Sequence, residues 1–279
     1  MNNNGIKHLV LCADDFGIAP GVNRAIFELI EAGRLNATSC MTSMPYWSDG
    51  AAKLRGLADR IQIGLHVTLT DQLSLAAMPN LAPNRRLPNI GNLLKLSVTR
   101  HLDYDEIYSE IQRQYDVFCQ TMGKPPDFID GHHHVHQFPV IRNAVIELIR
   151  REQNSYLPWV RLCWESPARL ISRRESIGRA LSIGVFGLGL RRLAKAHGIS
   201  CNSGFTGVYD YHKKLMNEEL MSRLLHKAIG QTVMFCHPGY VDEQLTNVDE
   251  LTNAREIEYK FFRSTEFQNV LTRAGFTLF

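Results

Sequence analysis

His8-Leu9-Val10-Leu11-Cys12-Ala13-Asp14-Asp15-Phe16-Gly17 is a short apolar run that ends in two adjacent carboxylates and a glycine. Such a run reads as a strand buried on both faces, the form that strands take in a parallel sheet. Pro20 and Gly21 lead on into a helix with Val22, Ala25, Ile26, Leu29 and Ile30 on one face, and Gly33 closes it at the C′ position. Strand, loop and helix make one unit of an α/β fold, and the acid pair stands at the strand's C-terminal end. Neighbouring residues on a regular strand point to opposite faces. For Asp14 and Asp15 to face one site, the strand must already have ended, and Gly17 supplies the freedom for that turn.

The same unit recurs outward from this stretch. Residues 37–44 read as a second strand with a helix at 48–57, and residues 61–67 as a third strand ending near His66. Residues 104–122 form the clearest helix: Tyr104, Ile107, Tyr108, Ile111, Tyr115, Phe118 and Met122 recur at steps of three and four, with Asp103 as N-cap. A strand at 127–130 runs into Gly131-His132-His133-His134-Val135-His136, four histidines within five positions, before a helix carrying Phe138, Ile141, Ala144, Val145, Leu148 and Ile149. Residues 159–162 are strand-like, 216–229 helical, and 232–236 a buried strand ending in His237-Pro238-Gly239. Helix signals fill 249–274, and 276–279 reads as a last strand. Strands and helices alternate with no composition break. The expected fold is therefore α/β, one domain over 1–279, with a mainly parallel sheet curled into a (β/α) barrel-like form.

Composition bounds the function. Of 279 residues 44% are hydrophobic, ordinary for a globular chain, and the net charge of +3 is too mild to argue for nucleic acid. No apolar run reaches the ~20 residues of a membrane span. The first seven residues are polar and lack a signal-peptide core, and the six scattered cysteines read as reduced thiols, so a cytoplasmic location is expected.

Four strand ends carry reactive side chains: Asp14 and Asp15, His66, His132 with its neighbours, and His237. In a parallel sheet or barrel these ends meet at one face. One carboxylate and two imidazoles make a set of three ligands that leaves open positions on a divalent ion. The other carboxylate can then act as base, a further histidine can serve the leaving group, and Asp130 is close enough to hold an imidazole's second nitrogen. Either member of the Asp pair could be the ligand. The assembly suits hydrolysis of an amide or ester, and no nucleophile elbow, phosphate-binding loop or dinucleotide motif competes with it.

Ala13-Asp14-Asp15-Phe16-Gly17, Gly64-Leu65-His66, Asp130-Gly131-His132-His133-His134-Val135-His136 and Cys236-His237-Pro238 together resemble the YdjC-like carbohydrate deacetylase family, to which the chitooligosaccharide deacetylases belong. The resemblance implies a (β/α)-barrel-like fold, one divalent metal, magnesium foremost with zinc, manganese or iron as alternatives, and removal of an acetyl group from an N-acetylated sugar. It assigns Asp15, His66 and His132 to the metal, Asp14 to the base, and His237 to an acid or oxyanion stabiliser. Asp130, His134 and His136 fall to substrate contact or to support of the ligands.

Residues 161–198 depart from this pattern. They hold eight Arg or Lys around an apolar, Gly-containing run at 180–190. A buried helix with solvated arginine caps is one expectation. A lid, a homodimer contact or a membrane-surface element is another. The segment also resembles hopanoid-biosynthesis-associated members of the family, which implies a glycolipid substrate with Trp159, Trp164, Phe186 and Leu188 lining an apolar groove. The 73–92 loop is expected to bind substrate. Two competing functions remain in view: a phosphoesterase-like metal hydrolase, which would prefer more carboxylates or a second metal, and a non-catalytic glycan- or metal-binding protein, for which a spare Asp14 has no use.

Overall fold

The computed structural model describes residues 7–152 and 157–278. In chain order its elements are β1 (Lys7–Phe16), α1 (Pro20–Glu31), β2 (Ala37–Cys40), α2 (Trp47–Arg55), β3 (Gln62–Val67), α3 (Ile90–Val98), α4 (Tyr104–Met122) and β4 (Phe128–Gly131). A 3-10 turn at His132–Gln137 precedes α5 (Ile141–Arg151), β5 (Trp159–Val160), α6 (Pro167–Arg173), α7 (Ile177–Ala196) and β6 (Gly204–Thr206). The chain continues as α8 (Glu218–Leu225), β7 (Thr232–Cys236), α9 (Glu243–Thr246), α10 (Asn253–Arg263), α11 (Thr265–Ala274) and β8 (Phe276–Thr277).

The sheet runs β5-β4-β3-β2-β1-β7-β6, with β8 added beside the start of β1, and every pairing is parallel. It curls until its two end strands meet: Val160 pairs with Cys201, and the Asn202 side chain bridges the seam to both Leu162 N–H and Leu162 C=O. The expected barrel-like α/β fold is what forms. The second strand is shorter than expected, ending at Cys40, and α3 was not anticipated. Of the expected last strand, Phe276–Thr277 pair and Phe279 lies outside the described residues, as do residues 1–6 of the polar N-terminus.

Side-chain parity sorts the interior. Leu9, Leu11 and Ala13 of β1, Ile63, Leu65 and Val67 of β3, Ile129 of β4 and Met234 and Cys236 of β7 pack outward under the helices. Val10, Cys12, Ala37, Phe128 and Val233 form a small apolar floor inside the curl, with Trp159 stacked on Phe128 at 4.6 Å. Gly64 makes room there, because a Cβ at that position would lie 2.3 Å from the Phe128 ring. Continuing the inward row one step up each strand gives Asp14, Ser39, His66, Asp130 and Arg161. Period-two alternation thus delivers the reactive residues to one chamber. The helices complete the outer layer as their periodicity demands; α4, for example, is capped by Asp103, which accepts from the N–H groups of Asp105 and Glu106, and is closed by Gly123 at φ +72°.

Candidate active site

Asp15 cannot reach the chamber by parity, and it does so by backbone conformation. Its φ is +66°, a left-handed value that Asp tolerates better than most residues, and the β1–β2 register shifts between Ala13 and Phe16. The turn expected at Gly17 therefore begins two residues earlier. Gly17, at φ +101°, completes it where a Cβ would press on Met41 C=O and Trp47. Both carboxylates consequently face one place.

Around Asp15 the imidazoles gather. His132 Nδ1 lies 3.0 Å and His66 Nε2 3.3 Å from Asp15 Oδ1, and one ligand atom from each of the three residues falls within 4.8 Å of the others. Asp15 Oδ2 is taken by Arg255 Nη2 at 2.6 Å. Burial raises the Asp15 pKa, but the Arg255 guanidinium, followed by His132, outweighs it and holds the carboxyl well below its usual range. His66 Nδ1 is held by Asp130 Oδ1 at 2.6 Å, with Ser39 Oγ at 3.1 Å, which fixes Nε2 toward Asp15.

Asp14 sits on the inward row below. Arg161, fully buried, spans both of its oxygens at 2.7 Å and reaches Asp130 Oδ2 at 2.6 Å. One guanidinium therefore bridges two carboxylates in a fixed fork. Burial alone would raise the Asp130 pKa, yet Arg161 and then His66 pull it well below the carboxylate range.

His237 follows β7 on the same inward parity. Its backbone N–H donates to Glu258 Oε2, and Glu258 Oε1 accepts from Tyr209 Oη at 2.7 Å. Burial lowers the His237 pKa to about 4, so its imidazole is neutral at pH 7. Burial also pushes Glu258 up to about 7 against the pull of Tyr209 and the His237 N–H.

These groups open on a cavity of about 440 Å³, lined by Asp14, Asp15, His66, His132, His134 and His237 among others. Its walls come from Arg179, Ser182 and Ile183 of α7, Val208, Tyr211 and His212 after β6, and Asp249, Glu250 and Leu251 before α10. Larger hollows of about 590 and 530 Å³ lie beside Met216 and Arg24, but no histidine lines either.

A model of the family described as YdjC-like protein matches residues 8–273. The chain belongs to the YdjC-like family. Among its curated relatives, a chitooligosaccharide deacetylase of Serratia marcescens is 28% identical over 98% of this chain and 97% of its own length. A carbohydrate deacetylase of Thermoanaerobacter pseudethanolicus is 27% identical over 91% of this chain and 90% of its own. In structure the chain is similar to a putative cellobiose-phosphate cleavage protein of Enterococcus faecalis V583, with a TM-score of 0.74, 22% identity, and coverage of 99% of this chain and 97% of the other.

Within this YdjC-like chain the remaining histidines separate. His134, at φ +59°, lines the cavity with Nδ1 3.5 Å from Cys163 Sγ and its ring against Phe205 and Phe235. His136 Nε2 donates to Arg161 C=O at 2.7 Å, and the residue is fully buried outside the cavity lining.

The 161–198 segment differs from every expectation in one respect: its key arginines point inward. Arg161 and Arg173 are buried, and Arg173 pairs with Glu165 at 2.9 Å under the loop that follows β6. Trp159, Trp164, Phe186 and Leu188 do not line the cavity. Trp159 fills the floor, Trp164 packs on Gly184, and Phe186 lies against Phe138 at 5.0 Å. Gly187 lets α7 approach Gln137 and Leu162 closely. From the 73–92 loop only Ile90 lines the cavity, while Leu75 and Asn80 tie back to α4 through Glu110 and Glu106. Among the described residues no helix is long and apolar enough to cross a membrane.

Proposed function

We propose that this chain hydrolyses the acetamido group of an N-acetylated sugar, using a divalent cation held by Asp15, His66 and His132. The observation that carries this reading is the convergence of those three ligand atoms within 4.8 Å, beside Asp14 and at the floor of one cavity. Donors about 2.1 Å from a single ion lie roughly 3–4 Å from one another. The separations of 3.0 and 3.3 Å around Asp15 fall in that range. Two imidazoles and one carboxylate suit zinc, iron or manganese, while magnesium, which the family resemblance favours, would draw chiefly on Asp15 and water oxygens. When bound, such an ion polarises the acetyl carbonyl and acidifies a water.

The protein's own groups supply the rest. Asp14, fixed by Arg161, takes the proton of the attacking water as the new C–O bond forms. The carbonyl π pair moves to oxygen and returns as the C–N bond breaks. The leaving nitrogen takes the proton that Asp14 holds, which restores the carboxylate, and the products are a free amine and acetate. His237 is neutral at pH 7, so it acts first as a hydrogen-bond donor to the developing oxyanion, as a neutral imidazole can. Fixed donors and a walled cavity keep this charge away from bulk water. The names of the curated relatives support an acetylated carbohydrate as substrate. The cavity volume, and a lining that includes none of Trp159, Trp164, Phe186 and Leu188, favour a short oligosaccharide over a lipid-borne sugar. The whole chain is read as one such catalytic domain.

The test is acetate release from N,N′-diacetylchitobiose by protein that has been chelated and then resupplied with each metal. Asp14→Asn should abolish turnover while metal stays bound, and Asp15→Asn should lose the metal. Wild-type protein that releases no acetate with any of the four metals would sink the proposal. The opposite behaviour of the two variants would reverse the two aspartates.

A further inference from the structure

Buried polar atoms in folded proteins nearly always have a partner, and one without a partner calls for an explanation. The cavity wall holds such a case in Tyr211. Its ring lines the cavity, yet its hydroxyl is shielded from solvent and bonds to nothing among the described residues. The side chain is held firmly. Arg179 lies over the ring at 5.5 Å, Tyr209 packs at 4.2 Å, and the His237 ring stands edge-on at 5.4 Å. His237 Nδ1 is a second buried atom without a partner in the same wall. Two adjacent unsatisfied groups in the wall that also carries Asp14 and Asp15 make a pattern that a polar substrate atom entering the cavity would complete.

We propose that Tyr211 is a catalytic residue whose Oη–H donates a hydrogen bond to the acetyl oxygen as that oxygen becomes an oxyanion. This rests on the deacetylation reading above. The hydroxyl keeps its proton throughout. Water adds to the carbonyl carbon as Asp14 takes its proton, the π pair goes to oxygen, and Tyr211 and His237 share the new charge until the pair re-forms the carbonyl, the C–N bond breaks, and the amine leaves with the proton that Asp14 returns. Burial raises the Tyr211 pKa, and the Glu258 carboxylate raises it further, so the phenol remains a donor at any working pH. In the deacetylation reading the acetyl oxygen is the atom that His237 serves, and the Tyr211 ring stands against the His237 ring at 5.4 Å.

The experiment is Tyr211→Phe, which removes one oxygen and no contact within the protein. With N,N′-diacetylchitobiose, kcat should fall about 100-fold, the usual effect of deleting one oxyanion donor, while KM stays within about twofold. Affinity for a tetrahedral phosphonamidate analogue of the acetamide, measured by calorimetry, should fall by the same factor, and affinity for N-acetylglucosamine should not. Melting temperature should hold or rise by about 2 °C, because an unsatisfied hydroxyl has been removed. A melting temperature that falls together with activity assigns Tyr211 a structural role and overturns the proposal. A rise in KM alone assigns the hydroxyl to a sugar contact and also overturns it. If wild type neither turns over the disaccharide nor binds the analogue, the deacetylation reading itself has failed. If wild type does both and Tyr211→Phe matches it, only the Tyr211 proposal has.

Discussion

Replacing Arg161 with Met tests the electrostatic heart of the chamber. The guanidinium is fully buried and makes three contacts of 2.6–2.7 Å to Asp14 and Asp130, whose side chains are 3% and 0% exposed. Screening by water is therefore minor. Removing one partner of such a buried set costs ~3–5 kcal/mol, because the surviving charges keep their desolvation penalty. At about 2 °C per kcal/mol for a chain of this size, the melting temperature should drop by roughly 6–10 °C at pH 7.5. The pH dependence follows from Asp130. Its folded pKa lies below the free value of about 3.9, so its contribution is present above that pH and is lost as pH falls through the folded value. The gap between wild type and variant should thus be widest above pH 5 and should narrow below about pH 4, where protonated carboxyls no longer need the cation. Scanning calorimetry across pH 3.5–8 measures both quantities. A loss under 2 °C at pH 7.5, or a gap that ignores pH, would refute the argument. If the Met variant does not accumulate, Arg161→Lys, which cannot span both carboxylates, should show the same trend at smaller size.

Two further outcomes are expected. Asp130→Asn removes the anionic anchor of His66 Nδ1, so affinity for the proposed cation should fall about 10–100-fold by isothermal titration; unchanged affinity would separate Asp130 from the ligand set. In chelator, the melting temperature should decline as pH falls from about 6.5 toward 4, because burial lowers both His136 and His237 to about 4, a shift worth about 3 kcal/mol for fully buried His136, and together they outweigh the opposite contribution of Glu258, which burial raises to about 7; a profile that is flat or rises over that range would refute the claim that both imidazoles are held neutral by the fold.

The strand ends were legible because period-two alternation is written in the apolar residues themselves: knowing that Val10 and Cys12 face inward places Asp14, and Phe128 places Asp130. The left-handed backbone at Asp15 was not, since Asp takes many conformations and nothing local announces φ +66°. In the sequence Arg161 is only the first member of a basic segment, because a lone arginine at a strand end looks the same whether it meets solvent or two carboxylates 147 and 31 positions away. Arg255 and Glu258 were missed for a similar reason, though a signal existed. Arg255, Glu258, Tyr259 and Phe262 recur at steps of three, one and three, and all are buried, so two charges occupy the apolar stripe of α10. Charged residues in phase with the core face of a helix are expensive to bury without partners. They deserve to be matched against orphan carboxylates elsewhere in the chain.

That pairing also explains why the two neighbouring aspartates can differ in role. Arg161 approaches from inside the curl and engages both oxygens of Asp14, while Arg255 approaches from α10 and engages Oδ2 of Asp15. Asp15 Oδ1 is left toward His66 and His132. Burial would lower the His66 pKa, but Asp130 outweighs it and raises it to about 10, so Asp14, Asp15, Asp130 and Asp249 face three cations across these contacts, Arg161, Arg255 and His66, an excess of one negative charge. Uncompensated charge in a buried site costs several kcal/mol. A divalent cation at Asp15 Oδ1 would displace the His66 proton and bring this set of charges to balance. A guanidinium on one side and a cation on the other would leave Asp15 a one-oxygen ligand and Asp14 a carboxylate oriented by hydrogen bonds, the division of labour that hydrolysis of an amide requires.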